Sequence, residues 1–392
     1  MTEPAGAGGT APRAWLRVGG LTVARQQLGL AVALGCERIV CLARALGPEL
    51  LALQHVAEAA GTQFHAISAP RALSGLVTAA DELVVLADGL LADPAEAARL
   101  LDAGPGVLVQ PVEAGLAAGF ERIDLNHASA GAMRVPGALV ERLADLPGDV
   151  DAASSLLRIA LQAGVPQRSI DGADTAPLRW TVVRDDDQAH AIEADWLRRR
   201  LPDERPAAVG PWLARTAAQR LGPALLHGAG GPRTLVWSAL ALALFALGAG
   251  WLGFAWLGLL LAALGWIVRQ TAEQLQQVER KALLLPLPRW PDSALYGWVF
   301  DLLLVILAGW SATVFAGRPH AEVFFAPAML IALVRLVPRA LRSRWTGWLE
   351  DRSLIALGLM AAALAGQAGP VHHLAAAALA LAGILLPRGD RG

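Results

Sequence analysis

The sequence predicts two unlike halves: a cytoplasmic α/β domain with a mainly parallel sheet, then an all-α bundle of six transmembrane helices. Three observations carry this. Thr234–Val268 holds no Asp, Glu, Lys, Arg or His, and it runs far past the roughly 20 residues that one crossing needs. Upstream, short β-branched runs alternate with helical stretches of about 10 residues, the pattern of strands joined by crossover helices. Downstream, apolar segments recur between Arg-bearing loops. Most of the tryptophans also fall at or after Trp212, as interfacial aromatics should.

Composition narrows the classes. The 392 residues allow two or three domains. A net charge of −1 excludes a broad polyanion-binding surface, and with it nucleic acid as a partner. Basic residues are almost all Arg, and Lys281 is the only lysine. Cys36 and Cys41 have the spacing of neither a redox pair nor a zinc half-site, so they read as buried thiols. Met1–Trp15 has no apolar core of the kind a cleaved signal peptide needs, which keeps the soluble half in the cytoplasm.

Residues 1–16 read as a flexible leader. Gly6, Gly8, Gly9 and Thr10 look like a phosphate loop, but no strand precedes them to aim it at a helix start. The domain proper is expected over 17–201. Leu21–Leu34 has helical apolar spacing, Arg38–Leu42 is a strand, Glu49–Ala59 a helix and Gln63–Ser68 a second strand. Ala72–Ala80 is helical, Glu82–Ala87 is the clearest strand, and Pro94–Leu101 is a helix. Gly106–Val112, Phe120–Leu125 and Ala130–Val135 add strands; Ala138–Ala144 and Ala152–Ala163 are amphipathic helices. Arg179–Val183 is the last strand and Ala189–Arg200 the last helix.

In such sheets ligands lie beyond the carboxyl ends of the strands. Asp88 sits at one such end and Asp185, Asp186 and Asp187 at another. Two carboxylates meeting there suit a divalent metal held against a phosphate. The same residues also suit turn starts and helix caps.

The runs Val18-Gly19-Gly20-Leu21-Thr22, Arg25-Gln26-Gln27-Leu28 and Gly35-Cys36-Glu37-Arg38-Ile39-Val40 resemble the sugar-phosphate nucleotidyltransferases just after their nucleotide loop. Leu83–Asp93 resembles the strand bearing that family's first metal-binding Asp, here Asp88. Ser129–Leu143 resembles a later strand and helix, and Asp185–Glu193 the segment of a second metal-binding Asp, with Asp187 the nearest match. The resemblance covers roughly Arg17–Leu201 and makes Gly19, Gly20, Asp88 and Asp187 the nucleotide-site candidates. The family's Gly-rich loop with its basic residue and Lys has no proper counterpart here. A triphosphate without those charges loses most of its electrostatic hold.

Residues 202–233 read as a linker followed by a juxtamembrane helix. Pro202, Pro206 and Pro211 break the chain, and Trp212–Leu226 sets Arg215 and Arg220 among apolar residues. It suits either an amphipathic helix on the bilayer surface or a helix packed on the soluble domain. The membrane domain is expected over 234–387. Thr234–Val268 splits into two crossings at Gly248, Gly250, Trp251 and Gly253. Four more follow near Ala294–Phe315, Val323–Val337, Ser353–Gly369 and Val371–Leu386, several of them short. Arg269, Arg280, Lys281 and Arg289 follow the second crossing, and Arg339, Arg342, Arg344 and Arg352 the fourth. Alternate loops are therefore basic, which places both termini in the cytoplasm of a bacterial inner membrane.

Asp301 is the one acid placed inside a crossing. There a carboxylate costs roughly 2.5–3.5 kcal/mol on insertion scales, so it marks a functional site or reaches water or an Arg. Six crossings, the preceding basic helix and Gly297-Trp298-Val299-Phe300-Asp301 together resemble the CDP-alcohol phosphatidyltransferases over about Pro211–Leu386. That family transfers a phosphate-linked lipid from a cytidine nucleotide to an alcohol with Mg²⁺ or Mn²⁺. The resemblance implies a CDP-linked lipid or head group as ligand and a homodimer through the membrane domain. Asp301 becomes the catalytic candidate, with Asp301 and Glu273 as metal candidates beside the Asp88 of the first resemblance. Two departures weaken the chemistry. Val268-Arg269-Gln270-Thr271-Ala272-Glu273-Gln274-Leu275 stands where the family's first acidic element belongs, and Val305 replaces its last Asp. Clamping a pyrophosphate with metal needs several carboxylates. The expectation is a catalytically degenerate relative that binds membrane lipid, a nucleotide-linked head group or a partner; the alternative is a divergent active transferase.

Overall fold

The computed structural model describes residues 1–6, 11–143, 151–170, 180–201, 208–227, 231–285, 292–313, 320–340 and 346–385. The chain divides into two compact units. One comprises Met1–Arg200 with Val278–Leu287, the other Leu201–Gln277 with Pro288–Gly392.

The first unit runs β1 (Arg17–Val18), β2 (Leu21–Thr22), α1 (Val23–Ala33), β3 (Arg38–Leu42), α2 (Pro48–Ala59) and β4 (Gln63–Ile67). It continues with β5 (Glu82–Leu86), β6 (Leu90–Leu91), α3 (Pro94–Asp102), β7 (Gly106–Pro111), α4 (Val112–Ala118) and β8 (His127–Pro136). It closes with α5 (Ala152–Gln162), β9 (Gln167–Ser169), β10 (Thr181–Val182) and α6 (Asp186–Arg200). Helix starts follow side-chain chemistry. Thr22 caps α1 by accepting from Arg25 N, Asp93 caps α3, and Asp151 caps α5.

Among the described residues the strands form four separate sheets, mixed in direction and not one mainly parallel sheet: three strand pairs, β1-β2, β3-β4 and β6-β10, and one sheet of four. β3 and β4 pair in parallel, as do β7 and β9. The ten-residue β8 lies antiparallel to both β5 and β7, giving the order β5-β8-β7-β9. The reversal comes from Asp124, whose carboxylate accepts from Asn126 N and His127 N and turns the chain straight into β8. That turn takes the place of the strand expected over Phe120–Leu125. The helix expected over Ala72–Ala80 is a short 3-10 turn at Pro70–Gly75, and the one expected over Ala138–Ala144 is two more, Gly137–Leu139 and Glu141–Leu143, with Ala144 outside the described residues. Arg179 lies outside the described residues; of the rest of that expected strand, Thr181–Val182 form β10, paired antiparallel with β6. The start of the leader is tied down: Met1, Thr2 and Glu3 all engage Asp88, and Pro4 bridges Pro12.

The second unit is helical: α7 (Val209–His227), α8 (Pro232–Trp251), α9 (Ala255–Ala282, its last residues belonging to the first unit), α10 (Asp292–Thr313) and α11 (His320–Ala340). A short α12 (Thr346–Leu349) leads to α13 (Arg352–Leu364) and α14 (Ala368–Leu385). Among the described residues, α8, α9, α10 and α14 are long and apolar enough to cross a membrane. α11 and α13 sit where crossings four and five are expected. α11 spans 21 residues and carries Arg335 and Arg339 toward its end, and α13 has 13 residues, about 20 Å of helix against a hydrocarbon core of about 30 Å.

Packing in this unit fixes helix directions. α8 and α9 turn about Gly253, and a Cβ on Gly258 would lie 2.6 Å from Ala246 O, so only glycine allows that approach. Trp251 at the end of α8 meets Trp310 at the end of α10, edge to face at 6.0 Å. Gly309 lies under Phe324, near the start of α11. The ends of α11 and α14 come together at Val337 and Gly383. The core joining α9, α10, α11 and α13 includes Leu259, Phe300, Leu304, Leu307, Val334 and Leu359.

Candidate functional site

Asp301 lies on α10, 5 % exposed, nine residues from the helix start. Its two oxygens each accept from an arginine Nε: Oδ2 from Arg335 of α11, and Oδ1 from Arg352 at the start of α13, at 3.1 Å. Aromatic faces hold both guanidiniums. Arg335 stacks 3.6 Å above the Trp298 ring and Arg352 5.4 Å above Trp266. Trp266 in turn packs on Phe300 at 4.7 Å and on Tyr296 at 5.9 Å. A planar guanidinium suits this place, because it stacks on a ring while donating from its edge.

Beside this cluster lies a cavity of about 480 Å³ within the second unit. Arg335, Arg339, Arg352, Gln270 and Trp266 line it, together with Glu350 and Asp351. Asp351 is 1 % exposed and already committed: it accepts from Gly210 N, Ser353 N and Leu354 N, so it caps α13 and ties down α7. Arg352 Nη1 also donates to Glu350 O at 2.8 Å. Gln270 Oε1 is buried without a protein partner. Asp301 uses only the Nε edge of each arginine, which leaves the geometry of a cationic cradle facing a polar space.

Glu273, the second metal candidate of this unit, pairs with Arg269 at 3.0 Å. Arg269 lies 5.2 Å over the Tyr296 ring. Among the described residues, no three His, Cys, Asp or Glu side chains gather closely enough to hold a metal ion. A Mg²⁺ or Mn²⁺ ion takes oxygen ligands; around Asp301 the neighbours are guanidiniums, which repel it. The residues present do not fit a divalent metal at this place.

The candidates of the first unit occupy separate positions. Gly19 and Gly20 form the two-residue turn between β1 and β2, with φ of +66° and +75°. Gly19 N donates to the buried Glu193 at 2.8 Å, and a Cβ on Gly19 would run into the Trp196 ring. Both glycines therefore serve a tight hairpin packed on α6. Asp88 accepts from Thr2 N at 2.7 Å and Glu3 N at 2.9 Å and pairs with the Met1 amino group at 3.3 Å. Asp187 is exposed in the first turn of α6, where a carboxylate favours the positive end of the helix. Burial pushes the Cys41 thiol up to about 11, in keeping with an unreactive buried cysteine.

The arginine partners of Asp301 escaped sequence reading, where Arg352 counted only as a loop charge. One signal was present: Arg335 interrupts an otherwise apolar stretch on α11, and an ionisable group there needs a partner. The sequence matches no protein-family model and no curated protein.

Proposed function

We propose that this chain is a multi-pass membrane protein whose helical unit binds a phosphate-bearing lipid or its nucleotide-linked head group, as a catalytically degenerate relative of the CDP-alcohol phosphatidyltransferases. One observation carries the reading: the buried Asp301 holds Arg335 and Arg352 side by side at a polar cavity that Arg339 also lines. Guanidiniums recognise phosphate through paired N–H donors, and their charge is permanent. Asp301 acts as the positioning residue. It keeps two cations together among apolar side chains, where unpaired they would repel each other and lack solvation. The cavity volume lies in the range that takes a small-molecule head group. The chemistry of a transferase has less support, because Asp301 and Glu273 are each paired with an arginine and Asp351 caps a helix.

Helix directions support six antiparallel traverses in a bacterial inner membrane. The Asp301 contacts put the first half of α10, the end of α11 and the start of α13 at one level, the cytoplasmic side by the distribution of arginines.

The test uses the full chain in nanodiscs of zwitterionic lipid doped with CDP-diacylglycerol or phosphatidic acid, read by tryptophan fluorescence. The expected result is saturable binding of the doped lipid, weakened at least about tenfold by Arg339→Ala or Arg352→Leu. Equal response to zwitterionic discs alone overturns the binding reading. Cytidine monophosphate release with an alcohol and Mg²⁺ or Mn²⁺, abolished by Asp301→Asn, overturns the non-catalytic one.

A further inference from the structure

Among the described residues, β3 and β5 each pair on one side only: β3 with β4, and β5 with β8. Their other edges face a common cavity of about 600 Å³, lined by every residue of Cys36–Leu42 and of Asp81–Leu86. Arg38, which opens β3, meets Asp81, just before β5, at 3.0 Å, and also donates to Leu76 O. At the far end of β5, Asp88 holds Met1.

The strands share faces without sharing hydrogen bonds. Val40 and Leu42 join Leu83 and Val85 in one apolar cluster. On the other face, Ile39 and Cys41 enter a second cluster, and Val84 and Leu86 a third. Leu28 and Ala31 of α1, and Ala152 and Leu156 of α5, also line the space. Ile39–Leu42 and Leu83–Leu86 are unbroken apolar runs, the pattern of strands covered on both faces. Yet all of them except Cys41 are only half-buried.

From this we infer that the gap between β3 and β5 is a strand-binding slot, which takes an extended apolar peptide segment of a partner polypeptide as an added β-strand. Among the described residues, the two facing edges have no strand partner, and an open edge presents a row of unpaired N–H and C=O groups. Only an extended polypeptide offers alternating donors and acceptors to both sides at the same spacing. Five residues at about 3.3 Å each match the length of β3. Because apolar clusters lie on both faces of the slot, the fitting sequence is apolar throughout and rich in Val and Ile. Lipid tails and detergent satisfy the apolar walls but leave the backbone edges unpaired. This inference is independent of the head-group site.

The experiment measures hydrogen exchange of the full chain in nanodiscs, with and without a synthetic blocked hexapeptide of Val and Ile flanked by Thr. A second peptide of the same sequence carries N-methyl groups on alternate amides. The expected result is exchange slowed at least about tenfold in both Arg38–Leu42 and Glu82–Leu86 with the first peptide, and unchanged with the second. Protection of one strand alone, equal protection by the methylated peptide, or no protection overturns the slot. So does protection without peptide that grows with protein concentration, which would assign the edges to a second copy of this chain.

Discussion

Asp301 shows how a single ionisable residue dictates its surroundings. Its carboxylate is balanced by two guanidiniums drawn from elements 34 and 51 residues away. Removing one charge from such a cluster leaves the others buried and uncompensated, which typically costs about 3–5 kcal/mol. Asp301→Asn is therefore expected to lower the stability of the helical unit by about that amount, measured by reversible unfolding in mixed micelles. Arg335→Met introduced together with Asp301→Asn should recover part of the loss, because the double variant buries one cation fewer. An unchanged transition for Asp301→Asn would mean that the pair is solvated. Asp301 itself was legible in the sequence, since a lone acid in an apolar stretch stands out. Its partners were not, because pairing is decided by which helix ends meet, and no local pattern encodes that.

Elements were legible where a local rule is strong. The break at Trp251–Gly253 and the starts of α8, α10 and α14 fall within a few residues of expectation, since long apolar runs and turn residues fix them. Strand order was not legible, because alternation of strands and helices fits a mixed sheet as well as a parallel one. The same limit applied to Gly19 and Gly20. Two adjacent glycines suit a phosphate contact or a hairpin alike, and only the packing of Trp196 and Glu193 separates the two. Gly19→Ala tests this at the scale of the hairpin. A left-handed alanine costs about 1–2 kcal/mol, and its methyl group must displace the Trp196 ring. The expected loss is at least about 2 kcal/mol in the first unit, read by chemical denaturation, with wild-type head-group binding in the nanodisc assay. Full stability of the variant would remove the structural role of the turn.

For the whole molecule the open quantity is the number of crossings. Among the described residues four helices qualify by length and composition; α13 has only 13 residues, and α11 carries Arg335 and Arg339. Four or six crossings both leave the termini on one side, so terminal tags cannot separate them. The segment between α11 and α13 can. With six crossings it returns to the side of the termini, and Arg339 and Arg352 obey the charge rule. With four crossings it stays on the opposite side, with its arginines misplaced. The antiparallel course of α10, α11 and α13 through the Asp301 cluster favours six. The shortness of α13 is then absorbed by local thinning of the bilayer at modest cost. Trp348 on α12 is 45 % exposed and lies in that segment. In a background with Cys36→Ala and Cys41→Ala, Trp348→Cys should resist a membrane-impermeant maleimide added outside intact cells. It should react once the membrane is opened. Labelling from outside would reduce the bundle to four crossings and carry the Arg335–Arg339–Arg352 cavity to the outer face, away from any cytoplasmic nucleotide-linked head group.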